Sequence, residues 1–170
     1  MEYSRILLKL GGESLMGNDN YGIDYEAIDY FTTEIKSATE LGIQVGVVVG
    51  GGNIFRGIQG AGAGFDRRQG DYMGMMATVI NSMALEGILK EKKVKVKVLT
   101  AMAIEGIGEK IYFNKADQYL NDGYVVIFGG GTGNPFFTTD TGAALRAAEI
   151  KADLLLKGTR VDGVYSDAPE

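Results

Sequence analysis

The sequence contains neither cysteine nor histidine. The first absence removes disulfides, thiolate nucleophiles and cysteine-based zinc sites; the second removes the commonest general base and a common metal ligand. Ser-His-Asp and Cys-His catalysis are thereby excluded, and any chemistry must come from Lys, Arg, Asp, Glu, hydroxyls and backbone amides. No apolar run approaches the ~20 residues that a membrane span requires. The opening "MEYSRILLKL" has one basic residue ahead of a short apolar run and lacks the small-residue cleavage site of a secretory signal. A soluble, cytoplasmic protein with no membrane partner is expected. A basic surface is missing too: the net charge is −5, which argues against nucleic acid as a partner, because such binding neutralises phosphates with Lys and Arg.

What remains is globular. The chain has 170 residues, 45% of them apolar and 23% charged, enough for one domain that buries roughly 70% of its unfolded surface. Runs rich in Val, Ile and Leu recur at 5–10, 43–49, 94–99, 124–128 and 153–157 and read as strands buried on both faces. Helical periodicity falls between them. In Asp24 to Leu41, Ile28, Phe31, Ile35, Ala38 and Leu41 repeat at three and four, with Asp24 placed to cap the start and Gly42 the end. A longer helix is predicted from Asp71 to Lys90 with Met73, Met76, Val79, Ile80 and Met83 inward, and shorter ones over 114–121 and 140–150. The alternating basic run at 90–97 reads as a helix end leading into a strand with one solvated face. Alternation of strand and helix predicts an α/β domain: a mostly parallel sheet between helical layers.

Three of the five strands run straight into glycine, at "LKLGGES" (8–14), "VVVGGGNIFRG" (47–57) and "VIFGGGTGNPFFTTD" (126–140). Ligands of open α/β sheets bind at the carboxyl ends of the strands. Glycine there lets backbone approach a ligand closely, and the helix starts that follow present free N–H groups to anions. Neither GxxxxGK[ST] nor a GxGxxG after a strand occurs, so Walker-type and dinucleotide-binding loops are not supported. The cations expected at the same edge are Lys9, Arg56 and Lys157, suited to the charge that spreads over a transferring phosphoryl group. Asp140 opens a helix, and two readings of it stand open: a plain N-cap, or a carboxylate that holds Lys9 and Lys157 in position. Asp71 is similarly placed to cap its helix or to accept from sugar hydroxyls.

Taken together, "SRILLKLGGES" (4–14), "GIQVGVVVGGGNIFRG" (42–57), "GDYMGMMATVIN" (70–81), "GTGNPFFTTDTGAALRAAEI" (131–150) and "LLLKGTRVDGVY" (154–165) closely resemble the bacterial uridylate (UMP) kinase family. The resemblance covers all 170 residues. It implies the amino-acid kinase (carbamate kinase-like) fold, a three-layer αβα sandwich with a mostly parallel central sheet, and transfer of the γ-phosphoryl group of ATP to UMP. By the same resemblance ATP would meet Lys9, Leu10, Gly11, Gly12, Gly52, Arg56, Thr159 and Tyr165. UMP would meet Gly51, Asp71 and the segment Thr132, Gly133, Asn134, Pro135, Phe136, Phe137, Thr138 and Thr139. Lys9, Arg56, Asp140 and Lys157 would carry the chemistry. The segment Gly17, Asn18, Asp19, Asn20, Tyr21 and Gly22 resembles the one through which GTP activates family members.

The family also implies a homohexamer, Mg²⁺ brought with ATP, and UTP as a feedback inhibitor. Where the family has an aspartate directly before proline, this chain has Asp167 one position early, with Ala168 before Pro169. Family chains run on past residue 170, so a single domain over 1–170 that stops within the ATP-binding region is expected. Two competing functions have clear sequence consequences. Carbamate, acetylglutamate or aspartate as acceptor has no use for the "GNPFFTTD" wall, and a nucleotide-binding or assembly module of the same fold would bind without turnover.

Overall fold

In the computed structural model, which describes residues 3–55, 64 and 66–158, six strands form one sheet. They are β1 (Arg5–Leu10), β2 (Gln44–Val49), β3 (Val96–Thr100), β4 (Glu109–Lys110), β5 (Val125–Gly129) and β6 (Leu154–Gly158), and their spatial order is β4-β3-β5-β2-β1-β6. Each neighbouring pair is parallel. Four of the five predicted strands start one or two residues later than their apolar runs; in three of them the first residue of the run closes the preceding helix, as Ile43 N–H donates to Ala38 O, Val94 N–H to Leu89 O and Tyr124 N–H to Tyr119 O. The two-residue β4 has too little apolar pattern to be read from sequence.

Helices α1 (Tyr25–Glu40), α2 (Arg67–Glu91), α3 (Phe113–Asn121) and α4 (Thr139–Glu149) complete the sandwich. Strand pleating sends alternate residues to opposite faces, and two cores result. Val45, Val47, Val49, Val125 and Ile127 meet Ile28 and Ile35 of α1 and Leu85 and Leu89 of α2. On the other face Val48, Val126 and Phe128 meet Ala116 and Leu120 of α3 and Ala143 of α4. The expected three layers and parallel sheet are present. Gly46 makes the second interface possible: a Cβ there would sit 2.9 Å from Ile150 Cδ1 and Leu7 Cδ1.

Helix α1 begins as the sequence indicates, with the Asp24 side chain accepting from Ala27 N–H at 2.8 Å. It ends before Gly42, whose φ of 80° closes the turn at no steric cost. Two expectations need correction. Among the described residues strand β6 lies at the sheet edge, with a hydrogen-bonded neighbour on one side only, and Leu155 is 43% and Leu156 40% exposed, so it is not buried on both faces there. Helix α2 starts four residues earlier than predicted and turns a different face inward. Met76, Ile80 and Met83 are exposed, Met73 is half-buried, and of the five residues named only Val79 is in the core. The buried face is Met75, Ala77, Thr78, Val79, Asn81, Ser82, Leu85 and Leu89. Small and polar residues win this face because the helix lies close against two glycine turns, as the site geometry shows. The facing of α2 predicts that Leu85→Ala costs about 2–5 kcal/mol of folding free energy, while Met83→Ala stays within about 0.5 kcal/mol; urea titration of the two variants checks this.

Candidate active site

The glycine turns after β1, β2 and β5 lie at one end of the sheet, and the first two contact each other through backbone. A Cβ on Gly12 would come 2.5 Å from Gly52 N, and one on Gly50 would come 2.7 Å from Gly12 N. No side chain fits in either gap, so the first two loops form a single surface. The β2 ladder extends into that surface, with Gly50 N–H donating to Leu10 O at 2.8 Å. Leu10 itself is 0% exposed: its side chain is core, and only its backbone reaches this end.

The third loop holds its shape by positive φ at Gly130, Gly131 and Gly133, 81°, 58° and 80°. Gly130 N–H donates to Thr78 Oγ1 of α2 at 2.8 Å. Helix α2 braces the second loop as well. Asn81 donates through Nδ2 to Gly50 O and to Asn53 Oδ1, both at 2.7 Å, and Asn53 donates back to Asn81 Oδ1 at 3.1 Å. Both asparagines are buried, and each satisfies the other's amide, as burial of polar groups demands.

Lys9 and Lys157 are direct partners across the β1–β6 ladder. Their ammonium groups converge on one carboxylate: Lys9 Nζ lies 2.9 Å from Asp140 Oδ1 and Lys157 Nζ 2.9 Å from Asp140 Oδ2. The Lys9 side chain is 12% exposed, whereas Lys157 and Asp140 are half-exposed. Asp140 is not the cap of α4. Thr138 is, accepting from Thr141 N–H at 3.2 Å, which leaves Asp140 in the first turn, where the helix dipole favours its charge. Burial alone would push the Asp140 carboxyl up, but hydrogen bonds from Lys157 and Lys9, with their charges, outweigh it and hold the group below its ordinary value. Of the two readings of Asp140, the structure has the lysine-holding one.

Beside this bridge lies a cavity of about 230 Å³ between α2, the second loop and the third loop. Gly51, Gly52, Asp71, Thr132, Asn134, Phe137, Thr138 and Thr139, all sequence candidates, line it. Gly133, Pro135 and Phe136 do not; they shape the loop instead. Phe136 holds a φ of 72°, unusual for a bulky residue, and its N–H donates to Asp71 Oδ2 at 2.8 Å. Phe136 and Phe137 are exposed, 62% and 59%, and so belong to the rim and wall rather than the core. Asp71 lies in the second turn of α2, not at a cap. It accepts from Arg67 Nε at 3.0 and 3.1 Å and from Phe136, so it ties the helix to the loop. A carboxylate has about four acceptor positions, and Asp71 keeps capacity toward the cavity.

Sequence reading missed Arg67, which lines the cavity and stacks its guanidinium 5.9 Å from the Phe136 ring centroid. Its i,i+4 spacing to Asp71 was the available signal. Asn53, Thr78 and Asn81 were also missed, for want of any local pattern that separates a loop brace from an ordinary polar residue. The segment 17–22 docks on the second loop through Asn53: Gly22 N–H donates to Asn53 O at 2.8 Å, and Asn53 Nδ2 to Gly22 O at 2.7 Å. Arg56, Thr159 and Tyr165 lie outside the described residues. Among the described residues no three acidic side chains cluster as a metal cage, and Asp140's oxygens already face two ammonium groups. These residues would therefore not hold Mg²⁺ by themselves.

A parallel αβα sheet whose strand ends present glycine turns, two convergent lysines and a carboxylate between them defines a protein built to handle phosphate-like anions. The family model described as the amino acid kinase family matches residues 4–170, and the chain belongs to that family. It is 58% identical to a uridylate kinase of Parabacteroides distasonis, the match covering 99% of this chain and 72% of the relative. It is 59% identical to a uridylate kinase of Porphyromonas gingivalis, covering 99% and 70%. Among solved structures, a UMP kinase from Bacillus anthracis superposes with a TM-score of 0.93 at 39% identity, covering 98% of this chain and 69% of that one. One from Ureaplasma parvum gives 0.92, also at 39% identity, over 99% and 72%.

The lowered Asp140 carboxyl sets a pH dependence. A group depressed on folding adds stability that is present above its unfolded pKa and is lost as pH falls through its folded value. The stability gap between the unaltered chain and Asp140→Asn is expected to be constant from neutrality down to about pH 5 and to shrink only below ~pH 4, the ordinary aspartate range. Paired denaturation curves across that range check the sign.

Proposed function

We propose that this chain is a uridylate kinase, catalysing ATP + UMP → ADP + UDP. The observation that carries the reading is the Lys9–Asp140–Lys157 bridge set beside a cavity that shares its loops: Thr139 lines the cavity next to Asp140, and Gly52, in backbone contact with Gly12, lines it next to the Lys9 loop. Relatives named uridylate kinase at 58% and 59% identity support the same activity. In the reaction an oxygen of the UMP phosphate attacks the γ-phosphorus in line, a new P–O bond forms, and the bond from that phosphorus to the bridging oxygen of ADP breaks. Lys9 and Lys157 are placed to stabilise the charge on the equatorial oxygens during transfer. Asp140 holds both ammonium groups in position before substrate arrives, so that little reorganisation is left to the reaction itself.

In this proposal UMP occupies the cavity, its sugar hydroxyls facing Asp71 and its base facing Thr132, Asn134 and Phe137. ATP lies over Gly11, Gly12 and Gly52, with Arg56, Thr159 and Tyr165 completing its contacts. Mg²⁺ enters on the ATP phosphates and supplies charge neutralisation there; no protein cage is assigned to it. GTP acts at the 17–22 loop, whose hydrogen bonds to Asn53 give an effector a mechanical connection to the second glycine loop, and UTP is the inhibitor. The outward ridge of Tyr72, Met76, Ile80 and Met83 supplies apolar surface consistent with a homohexamer. No described helix is long and apolar enough to cross a membrane, which accords with work in the cytoplasm in pyrimidine nucleotide synthesis.

Lys9→Ala is expected to lower kcat by about a hundredfold or more, ~3 kcal/mol of barrier, with a smaller change in KM for UMP. A coupled ADP assay reads it, and unchanged turnover would remove Lys9 from the chemistry.

A further inference from the structure

Helix α2 carries a glycine that neither its backbone nor its packing requires. Gly74 sits in mid-helix, where glycine is about 1 kcal/mol less favourable than alanine, and it is not among the residues with positive φ. Most glycines near the site are forced by neighbours. Gly51 is one: a Cβ there would come 2.8 Å from Ala77 Cβ and from Gly74 O. At Gly74, by contrast, a Cβ would meet nothing within 4 Å among the described residues.

The open space at Gly74 is the cavity. Helical geometry stacks positions 67, 71, 74 and 78 on one face, and Arg67, Asp71, Gly74 and Thr78 all line the cavity. Gly74 occupies the middle of that lining face. Side chains on a helix lean toward its N-terminus, so a methyl at 74 would project into the cavity toward the turn of Asp71, beside the carboxylate that holds Phe136 N–H. Gly87 provides the internal comparison. It is also mid-helix, also has nothing within 4 Å of its virtual Cβ, but is exposed and far from the cavity lining.

We propose that Gly74 is a specificity-determining residue: its missing side chain lets the nucleoside part of the acceptor, sugar and attached base, lie against the α2 backbone next to Asp71. The proposal rests on the reading of the cavity as the UMP site. It assigns the unfavourable helix residue a ligand-side cause, since space that packing leaves empty and helix propensity disfavours is filled when substrate binds.

The test uses the unaltered chain, Gly74→Ala and Gly87→Ala, with thermal unfolding and calorimetric titration of UMP on each. Both substitutions should raise or preserve Tm, because alanine favours the helix at either place. Only Gly74→Ala should weaken UMP binding, by tenfold or more, while Gly87→Ala binds as the unaltered chain does. Equal UMP affinity in Gly74→Ala overturns the inference, and so does a fall in its Tm or a failure to fold, since either would show that the glycine serves packing. If the unaltered chain itself does not bind UMP, the acceptor reading fails first and takes this inference with it, a result separable from the others by its control.

Discussion

Two ammonium groups on adjacent strands repel, and the arrangement at the end of this sheet depends on one carboxylate that makes their proximity tolerable. The β1–β6 register sets Lys9 directly beside Lys157, so the sheet itself creates the conflict. Asp140 resolves it by accepting from one lysine through each oxygen. That in turn fixes where α4 must begin, and Thr138 takes over the capping role that Asp140 would otherwise fill. The third glycine loop then has to travel from the end of β5 to that helix start. Its positive-φ glycines and the left-handed Phe136 are the backbone consequences.

Helix α2 is the second organising element, because it touches the loops from both central strands. Thr78 takes the Gly130 N–H, Asn81 takes the Gly50 carbonyl, and Asp71 takes the Phe136 N–H. These contacts explain why its inner face is small and polar near the site and aliphatic farther along, at Leu85 and Leu89. A bulky apolar face would hold the helix away from the loops and leave their buried amides unpaired, at a cost of about 1–3 kcal/mol each. Met76 and Met83, which sequence periodicity placed inward, therefore face out.

Much of the molecule was legible locally. Strands β1, β2, β3, β5 and β6 announced themselves by apolar runs and the three strand-end glycine clusters by composition, while Asp24 and Gly42 marked the ends of α1. The candidate cavity residues in the 132–139 segment were legible as donors and an apolar wall, and most of them do line the cavity. Less legible were Arg67, Asn53 and Asn81, since a brace is recognised only by what it braces. Hydrophobic periodicity likewise misjudged α2, because apolarity reports burial in general and not closeness of approach to a particular partner.

The sequence by itself determined the α/β alternation, the strand-end glycines, the helix caps of α1 and the absence of histidine and cysteine chemistry, all of which rest on residues near one another in the chain. Only the tertiary structure decided that Lys9 and Lys157 stand side by side, that Asp140 bridges them, that Gly12 and Gly52 meet backbone to backbone, and which face of α2 turns inward. The physical reason is the same in each case. Local periodicity fixes a segment's conformation, but register between strands and the facing of a helix are set by packing and hydrogen bonds between parts of the chain far apart in sequence, such as the 148 positions that separate Lys9 from its partner Lys157.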